Sequence, residues 1–379
     1  MVRLLIANLI CFCAVLEAAA VEHITLRRDG QEQQIEGKLI VAAEDGGLLV
    51  MAADGQLWAI RPAEIVARTK DAVVFKPLTR KQLAARLLKE LPPGFKVYTT
   101  AHYVICYNTS RSYAEWCGAL YERLYRAFRN YWGNRGFELH VPETPLVAIV
   151  FADRGEYRQH AIDELGAASG SVIGYYSLRS NRITIYDLTG VSAAGGQASR
   201  RGSTSEINQV LAQPAALPLV ATIIHEATHQ IAYNCGLQTR YADIPLWISE
   251  GIAVYFETPD LESSKGWRSI GEVNQSRLAN FRDGLATRAD NSLGTLIMDD
   301  RRLRDGRGAV DAYAEAWALN FFLIRQHRQE YSAYLKMLSE KPQFVWDDPQ
   351  TRLAEFKQYF GDDLEKLEAD FLRHLSKVK

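Results

Sequence analysis

Short apolar runs that alternate with Asp-Gly turns dominate the first eighty residues. The runs at 24–26, 48–51 and 57–60 are separated by Asp29-Gly30, Asp45-Gly46-Gly47 and Asp54-Gly55. Asp-Gly between apolar runs is a strong hairpin signal. The pattern therefore predicts a small β module over residues 21–78. A helical pattern over about 79–91 then leads into Pro92-Pro93-Gly94, so we expect a linker helix and a domain boundary within 79–93.

From Phe95 onward, strand-like and helix-like patterns alternate. The predicted elements are a strand over 97–107, an amphipathic helix over 111–132, a buried central strand over 146–151, two short strands over 172–178 and 182–186, and a loop rich in Gly, Ser and Ala over 189–206. From Leu217 to the end, the periodicity is helical. This order predicts a short mixed sheet followed by a helical C-terminal part.

The first twenty residues have the pattern of a secretory signal peptide. Arg3 precedes an apolar run over 4–16, and Ala18-Ala19-Ala20 supplies small residues for cleavage. The run is short for a bilayer span, and Glu17 ends it. We therefore predict cleavage near Ala20, a secreted or periplasmic location and no integral membrane segment in the mature chain. An uncleaved membrane anchor is the alternative interpretation.

Composition narrows the function classes. The chain has 379 residues, of which 47% are hydrophobic, so a large core is available. The 44 Lys and Arg against 45 Asp and Glu leave a net charge of −1, and no global field favours nucleic acid. After signal cleavage the remaining cysteines are Cys106, Cys117 and Cys235, without a Cys-x-x-Cys pair. They are expected to be small buried apolar residues rather than a disulfide framework or a thiolate metal site.

The candidate chemistry begins with a helix-like segment that contains His225-Glu226-x-x-His229. Histidines four positions apart lie on one helix face, so both imidazoles can reach one metal ion. Glu226 is rotated by about 100° from His225, which lets it reach a water molecule on the metal rather than the metal itself. The alternative is an ordinary buried helix that happens to carry two histidines.

A second apolar segment supplies a carboxylate at a suitable distance along the chain. Glu250 follows His229 by 21 positions, which leaves room for a turn and the start of an antiparallel helix at Pro245. Between Trp247 and Ile252, a carboxylate without a partner would be costly to bury, and coordinating a cation removes that cost. Two imidazoles, one carboxylate and an open position for water suit Zn²⁺.

These two segments resemble the gluzincin metallopeptidases, the group of thermolysin and aminopeptidase N. The resemblance rests on His225-Glu226-x-x-His229 and on Leu246-Trp247-x-x-Glu250-Gly251-x-Ala253-x-Tyr255. The wider pattern, with Gly174-Tyr175-Tyr176-Ser177 and Asn181-Arg182-Ile183, is similar to secreted bacterial proteins with a gluzincin-like domain of unknown function. The resemblance extends over about residues 95–340. It implies His225, His229 and Glu250 as zinc ligands and Glu226 as the general base.

The resemblance also implies a role for Tyr313 and raises a question of specificity. Tyr313 lies 63 positions after Glu250 and is similar to the tyrosine that stabilises the oxyanion in aminopeptidase-N-like enzymes. The alternative is a core aromatic residue. The Gly-x-Met-Glu-Asn edge strand of those aminopeptidases is absent from the sequence. The strand at 182–186 is the candidate to replace it and to pair with an extended substrate, so exo- and endo-cleavage both stay open.

The sequence thus predicts an α+β chain with a small N-terminal β module and a gluzincin-like domain over 94–379. That domain is expected to contain a short mixed sheet, the zinc helix and a helical C-terminal part. The predicted function is zinc-dependent hydrolysis of peptide bonds in a peptide or protein substrate. Two alternatives remain open: a non-catalytic secreted binding protein on the same scaffold, and a zinc amidase that acts on cell-wall peptides.

Overall fold

The computed structural model describes residues 20–190, 203–258, 260–261, 267–306 and 308–379. Two compact units make up this part of the chain. The first takes the described residues up to Ala53 together with Trp58–Pro77, and the second takes Asp54–Leu57 and Leu78–Lys379. The predicted α+β class is confirmed. The predicted signal peptide lies outside the described residues, apart from Ala20, which begins the first strand.

The first unit is built on a five-stranded sheet, and the predicted β module is confirmed. Its strands are β1 (Ala20–Arg28), β2 (Gln31–Ala42), β3 (Leu48–Ala52), β4 (Leu57–Ile60) and β5 (Ile65–Val74), in the order β4-β3-β2-β1-β5. The β1–β2 hairpin turns at Asp29 and Gly30, whose φ angles are 51° and 79°. A type I′ turn requires two positive φ angles, which explains the strength of the Asp-Gly signal. Ile24, Leu26 and Val50 are buried in the core of this unit.

The second unit contains the predicted short mixed sheet. Its strands are β6 (Lys96–Thr99), β7 (Tyr103–Tyr107), β8 (Leu146–Phe151), β9 (Gly174–Tyr176) and β10 (Arg182–Tyr186), in the order β6-β7-β8-β10-β9. β8 is parallel to β7 and to β10, whereas β6 and β9 are antiparallel edge strands. All six residues of β8 are buried, as its uninterrupted apolar pattern predicted for a central strand.

The prediction of one continuous strand over 97–107 is wrong. β6 and β7 form a hairpin, and the chain reverses over residues 100–102. Glu122 holds this turn, because its carboxylate accepts hydrogen bonds from Thr100 Oγ1 at 2.6 Å and from the backbone N–H of His102 at 2.7 Å. The turn contains neither Gly nor Pro, so the local sequence carries no turn signal.

The prediction that the strand at 182–186 lies at the edge of the sheet is also wrong. β10 lies inside the sheet, between β8 and β9, and the edge is formed by β9. Residues 183–186 of β10 are buried, which fits a strand that pairs on both sides. In the predicted loop over 189–206, residues 191–202 lie outside the described residues. Its last residues are helical, because Ser203 caps a helix that begins at Thr204.

Helices make up most of the second unit, as predicted. They are α1 (Arg80–Glu90), α2 (Arg111–Gly133), α3 (Arg154–Leu165), α4 (Thr204–Leu211), α5 (Leu217–Asn234), α6 (Leu246–Phe256), α7 (Gln275–Gly284), α8 (Ser292–Met298), α9 (Arg301–Arg304), α10 (Ala309–Gln326), α11 (Arg328–Ser339), α12 (Pro349–Phe360) and α13 (Leu364–Lys377). The helix expected as a linker is α1, which belongs to this unit because Leu83 and Leu87 are fully buried in its core.

Cys106, Cys117 and Cys235 are buried and free, in agreement with their expected role as small apolar residues. Burial raises the pKa of the Cys106 thiol to about 12, which keeps it protonated at neutral pH. In the described ranges, no helix has both the length and the apolar content that a membrane crossing requires.

Replacing Glu122 by Ala should destabilise the second unit. The substitution leaves the backbone N–H of His102 and the hydroxyl of Thr100 without their acceptor, at a cost of about 2 kcal/mol in the free energy of unfolding. Urea denaturation followed by circular dichroism measures this cost. The matched control is Glu115→Ala on the same helix, since Glu115 only forms an exposed pair with Arg111, worth about 0.5 kcal/mol or less. Equal costs for the two variants would contradict the role given to Glu122.

Candidate metal centre

Helix α5 carries both histidines and has identifiable ends. Pro218 occupies its first turn, where a missing backbone N–H costs nothing because no intrahelical acceptor is available. Beyond Asn234, Gly236 adopts a φ of 85°, and the chain turns away from the helix. The histidines follow each other by one helical turn, so the rings of His225 and His229 lie side by side, with centroids 4.7 Å apart.

Helix α6 begins after Pro245 and packs very closely against α10. The contact occurs at Gly251, where a Cβ atom would stand 1.9 Å from the side-chain amide nitrogen of Asn320. That same amide donates a hydrogen bond of 2.8 Å to the carbonyl of Trp247. No side chain larger than hydrogen fits at this point. The close contact between the two helices places Glu250, the neighbour of Gly251 on α6, near Tyr313 of α10.

The electron-pair donor atoms of His225, His229 and Glu250 converge on one point. The Nε2 atoms of His225 and His229 are 3.0 Å apart, and Glu250 Oε2 lies 3.0 Å from the former and 3.5 Å from the latter. A tetrahedral zinc ion with bonds of about 2.0–2.1 Å holds its ligand atoms about 3.3–3.4 Å apart. Within the described ranges, this is the one group of His, Cys, Asp or Glu side chains that meets the geometry of a metal site.

The hydrogen-bond partners of the outer ring nitrogens, Nδ1, fix the tautomers of both histidines. Glu257 Oε1 lies 2.7 Å from His225 Nδ1, and an ionised carboxylate only accepts hydrogen bonds, so this nitrogen carries a proton. Ser249 Oγ lies 3.3 Å from His229 Nδ1 and donates its own proton to Gln238 Oε1, so it accepts the Nδ1 proton of His229. Each neutral imidazole then directs the lone pair of Nε2 at Glu250. Lone pairs that face one another in this way call for a cation between them, so the three side chains fit a metal ion.

A proton can take the place of the cation, and with protonated histidines the pKa shifts in the cluster show the same need for positive charge. Burial would lower the pKa of His225, but its hydrogen bonds to Glu250 and Glu257 outweigh burial and raise it well above its ordinary value. Burial would raise the pKa of Glu250, but the charge of His229 and the hydrogen bond from His225 lower it. The side chains of the two histidines and of Glu250 are only 11% to 14% exposed. Solvent therefore screens these charges poorly.

Glu226 lies beside the cluster but is not one of the converging donors. It is half-buried, and its Oε2 accepts a hydrogen bond of 2.8 Å from the backbone N–H of Tyr176 on the edge strand β9. Burial raises the pKa of Glu226, while the charges of His225 and His229 oppose that rise. The outward-facing backbone of β9 thus orients a carboxylate that retains access to solvent.

Tyr313 faces the same cluster from helix α10. Tyr313 is half-buried, and burial raises the pKa of its hydroxyl. The negative charges of the nearby Glu250 and Glu226 raise this pKa further. The guanidinium carbon of Arg277 lies 5.8 Å from the centre of the Tyr313 ring. All five residues predicted from the sequence, His225, Glu226, His229, Glu250 and Tyr313, are therefore brought together.

Sequence reasoning missed the residues that support the predicted ones. Glu257 had a signal, because it follows Glu250 by seven positions, or about two helical turns, and so points in the same direction. Ser249 is the neighbour of Glu250 and had only its position to suggest a role. Arg277 had no signal, since it lies on α7 and reaches Glu257 Oε1 at 3.6 Å only in the folded chain.

The region of the candidate centre was compared with known protein families. A family model described as "Protein of unknown function (DUF1570)" matches residues 219–345. The matched segment runs from the start of α5 to beyond α11 and includes the five predicted site residues. No curated protein matches the chain.

We expect the purified protein to bind one equivalent of Zn²⁺ at this cluster. His225→Ala and Glu250→Ala each remove a donor and should abolish binding, as measured by isothermal titration calorimetry after chelator treatment. Glu257→Gln should weaken binding by about 10- to 100-fold, because it removes only the acceptor that orients His225. His140→Ala, at an exposed histidine outside the cluster, is the control. Undiminished zinc stoichiometry in both alanine variants of the cluster would rule this site out.

Proposed function

We propose that this protein is a zinc-dependent hydrolase of peptide bonds that acts in a secreted or periplasmic setting. His225, His229 and Glu250 would hold the metal. The observation that carries the proposal is the position of Glu226, a half-buried carboxylate held beside the three converging donors without joining them. A purely structural metal site has no use for such a group.

The chain's own residues account for the movement of the proton. Zinc, when bound, would lower the pKa of a water molecule toward about 7 and polarise a substrate carbonyl. Glu226 accepts the proton from the water as it attacks the peptide carbonyl, and then passes it to the nitrogen of the leaving amine. Burial raises the pKa of Glu226, which suits a group that both takes and returns a proton. The Tyr176 N–H holds one of its oxygens and leaves the other to meet the water.

Tyr313 supplies the second catalytic function. The attack places negative charge on the carbonyl oxygen, and the Tyr313 hydroxyl donates a hydrogen bond to it. The raised pKa of Tyr313 keeps the hydroxyl protonated, so it is a donor at neutral pH. The ring is supported by Arg277, whose guanidinium carbon lies 5.8 Å from its centre.

The edge strand β9 supports a peptide as the substrate. Among the described residues it has a strand partner on one side only, so an extended chain can lie along its other edge, beside the Tyr176 N–H that binds Glu226. The corrected edge, Gly174–Tyr176, carries no acidic side chain that would bind a free α-amino group. This favours cleavage within a chain over removal of the first residue.

Of the two alternatives, the non-catalytic binding protein receives less support from the same geometry. In a non-catalytic binding protein, neither Glu226 nor the Tyr313 hydroxyl would need to lie near the three donors, yet the charges of Glu250 and Glu226 both act on Tyr313. A zinc amidase on cell-wall peptides would use the same groups. A screen of peptide and cell-wall substrates separates the amidase from the peptidase.

Replacing Glu226 by Gln should abolish turnover and retain zinc. The amide keeps the size of the side chain but accepts no proton from water, so we expect kcat to fall by at least 100-fold. Zinc content by plasma mass spectrometry and cleavage of a quenched fluorescent peptide library by the same preparation give the two readings. Unchanged cleavage by this variant would exclude Glu226 as the general base.

Tyr313→Phe removes the hydroxyl, which is the proposed oxyanion donor, and keeps the aromatic ring. We expect kcat to fall by about 100-fold with little change in KM, because the lost hydrogen bond forms mainly in the transition state. Tyr359→Phe, at a half-buried tyrosine of α12, is the matched control. A loss confined to KM would show that Tyr313 binds the substrate rather than the transition state.

A further inference from the structure

Two aromatic residues of the second unit have an unusual backbone conformation. Among the described non-glycine residues, φ is positive at Asp29, Asn181, Tyr241 and Phe344. Asp and Asn tolerate this region in turns, but bulky aromatic residues rarely adopt it. Tyr241 and Phe344 have φ angles of 65° and 64°, and their ring centroids are only 5.7 Å apart. Strain in two facing residues indicates a constraint that the surrounding structure imposes.

The two loops that contain these residues are tied together. The Phe344 N–H donates to the Tyr241 carbonyl at 2.8 Å, and Gln343 Nε2 donates to the Arg240 carbonyl at 2.8 Å. Lys341 pairs with Asp347 and so closes the second loop at its two ends. The Lys341 side chain is only 9% exposed. Its charge is therefore poorly screened, and the pair holds the loop in one shape.

This clamped loop presents apolar side chains to solvent. Val345 is 52% exposed and Trp346 is 63% exposed. The other six tryptophans of the chain are buried or half-buried, and all of them lie in the described ranges. An exposed tryptophan on a rigid loop is typical of a binding surface. We call Tyr241, Phe344, Val345 and Trp346 the aromatic ledge.

The aromatic ledge lies at the end of the edge strand β9. Arg240, the residue before Tyr241, donates a hydrogen bond of 3.1 Å from its guanidinium to the carbonyl of Leu178. Leu178 stands two residues after Tyr176, whose backbone N–H binds Glu226. Tyr241 is also among the groups that raise the pKa of Tyr176, after burial. A chain that follows β9 past Glu226 is therefore directed toward Tyr241, at one end of the ledge.

We propose that the aromatic ledge is a substrate-binding subsite for an aromatic or large aliphatic side chain. The occupant is a residue of an extended peptide that pairs with β9, roughly two to four residues from the bond to be cleaved, at about 3.3 Å per residue. The ledge is uncharged, so it selects apolar side chains. Because the loops are already ordered, binding pays little conformational entropy. The inference rests on the proposed function, since it assigns the specificity of the same site.

A binding experiment with the inactive variant tests the subsite. Zinc-loaded Glu226→Gln protein is titrated with blocked dodecapeptides of Ala and Gln in which a single Phe moves one position at a time. We expect about tenfold tighter binding, by isothermal titration calorimetry, when Phe stands at one or two adjacent positions. Tryptophan fluorescence should change with the same peptides. Trp346→Ala in this background should remove the preference for Phe.

Two further variants separate binding from folding. Phe344→Asn removes the ring but keeps a residue that tolerates positive φ, so we expect a folded protein by circular dichroism with weakened binding of the preferred peptide. Leu285→Ala, at a 43% exposed apolar residue outside the ledge, should bind as the parent does. Equal affinity for every Phe position, or equal binding by Trp346→Ala, would overturn the subsite.

The outcomes also separate the subsite from the proposed function. If the ledge variants bind less well and wild-type protein with zinc cleaves none of the peptides, the subsite stands and peptide hydrolysis fails. If cleavage occurs without dependence on Phe or Trp346, hydrolysis stands and the subsite fails. A change in oligomeric state with Trp346→Ala and no change in peptide binding would assign the ledge to contact between two copies, and would also overturn it.

Discussion

The rest of this structure depends on one constraint: three electron-pair donors converge at a site that is almost fully buried. The Nε2 atoms of His225 and His229 and the carboxylate of Glu250 approach within 3.5 Å of one another. Such an arrangement costs free energy unless positive charge compensates it. Glu257 and Ser249 hold the ring protons on the outer nitrogens, so a proton or a cation at the centre must provide that charge.

The fold meets this constraint by close packing of a few elements. Helix α5 supplies two donors and Glu226, and α6 supplies the third. The contact of Gly251 with Asn320 draws α6 and α10 together, so that Tyr313 faces Glu250. On the opposite side, the edge strand β9 orients Glu226 through one backbone hydrogen bond. A short sheet and three helices therefore position every group of the candidate centre.

How much the sequence reveals depends on how local each interaction is. The hairpin at Asp29-Gly30, the buried strand β8 and helix α5 follow from residues that are neighbours in the chain, and these predictions are confirmed. The turn between β6 and β7 depends on Glu122, some twenty residues away. The edge position of β9 depends on pairing order, which the strand's own residues do not encode. The contact of Arg277 with Glu257 and the aromatic ledge likewise form only when segments that are distant in the chain meet.

The most direct measurement is an anomalous diffraction experiment on crystals of the zinc-loaded protein. Data on either side of the zinc absorption edge locate the ion independently of any activity. We expect one strong peak about 2.0–2.2 Å from His225 Nε2, His229 Nε2 and the Glu250 carboxylate, with no fourth protein ligand. A peak elsewhere, no peak in zinc-loaded crystals, or a fourth side chain that closes the site would contradict a catalytic zinc centre.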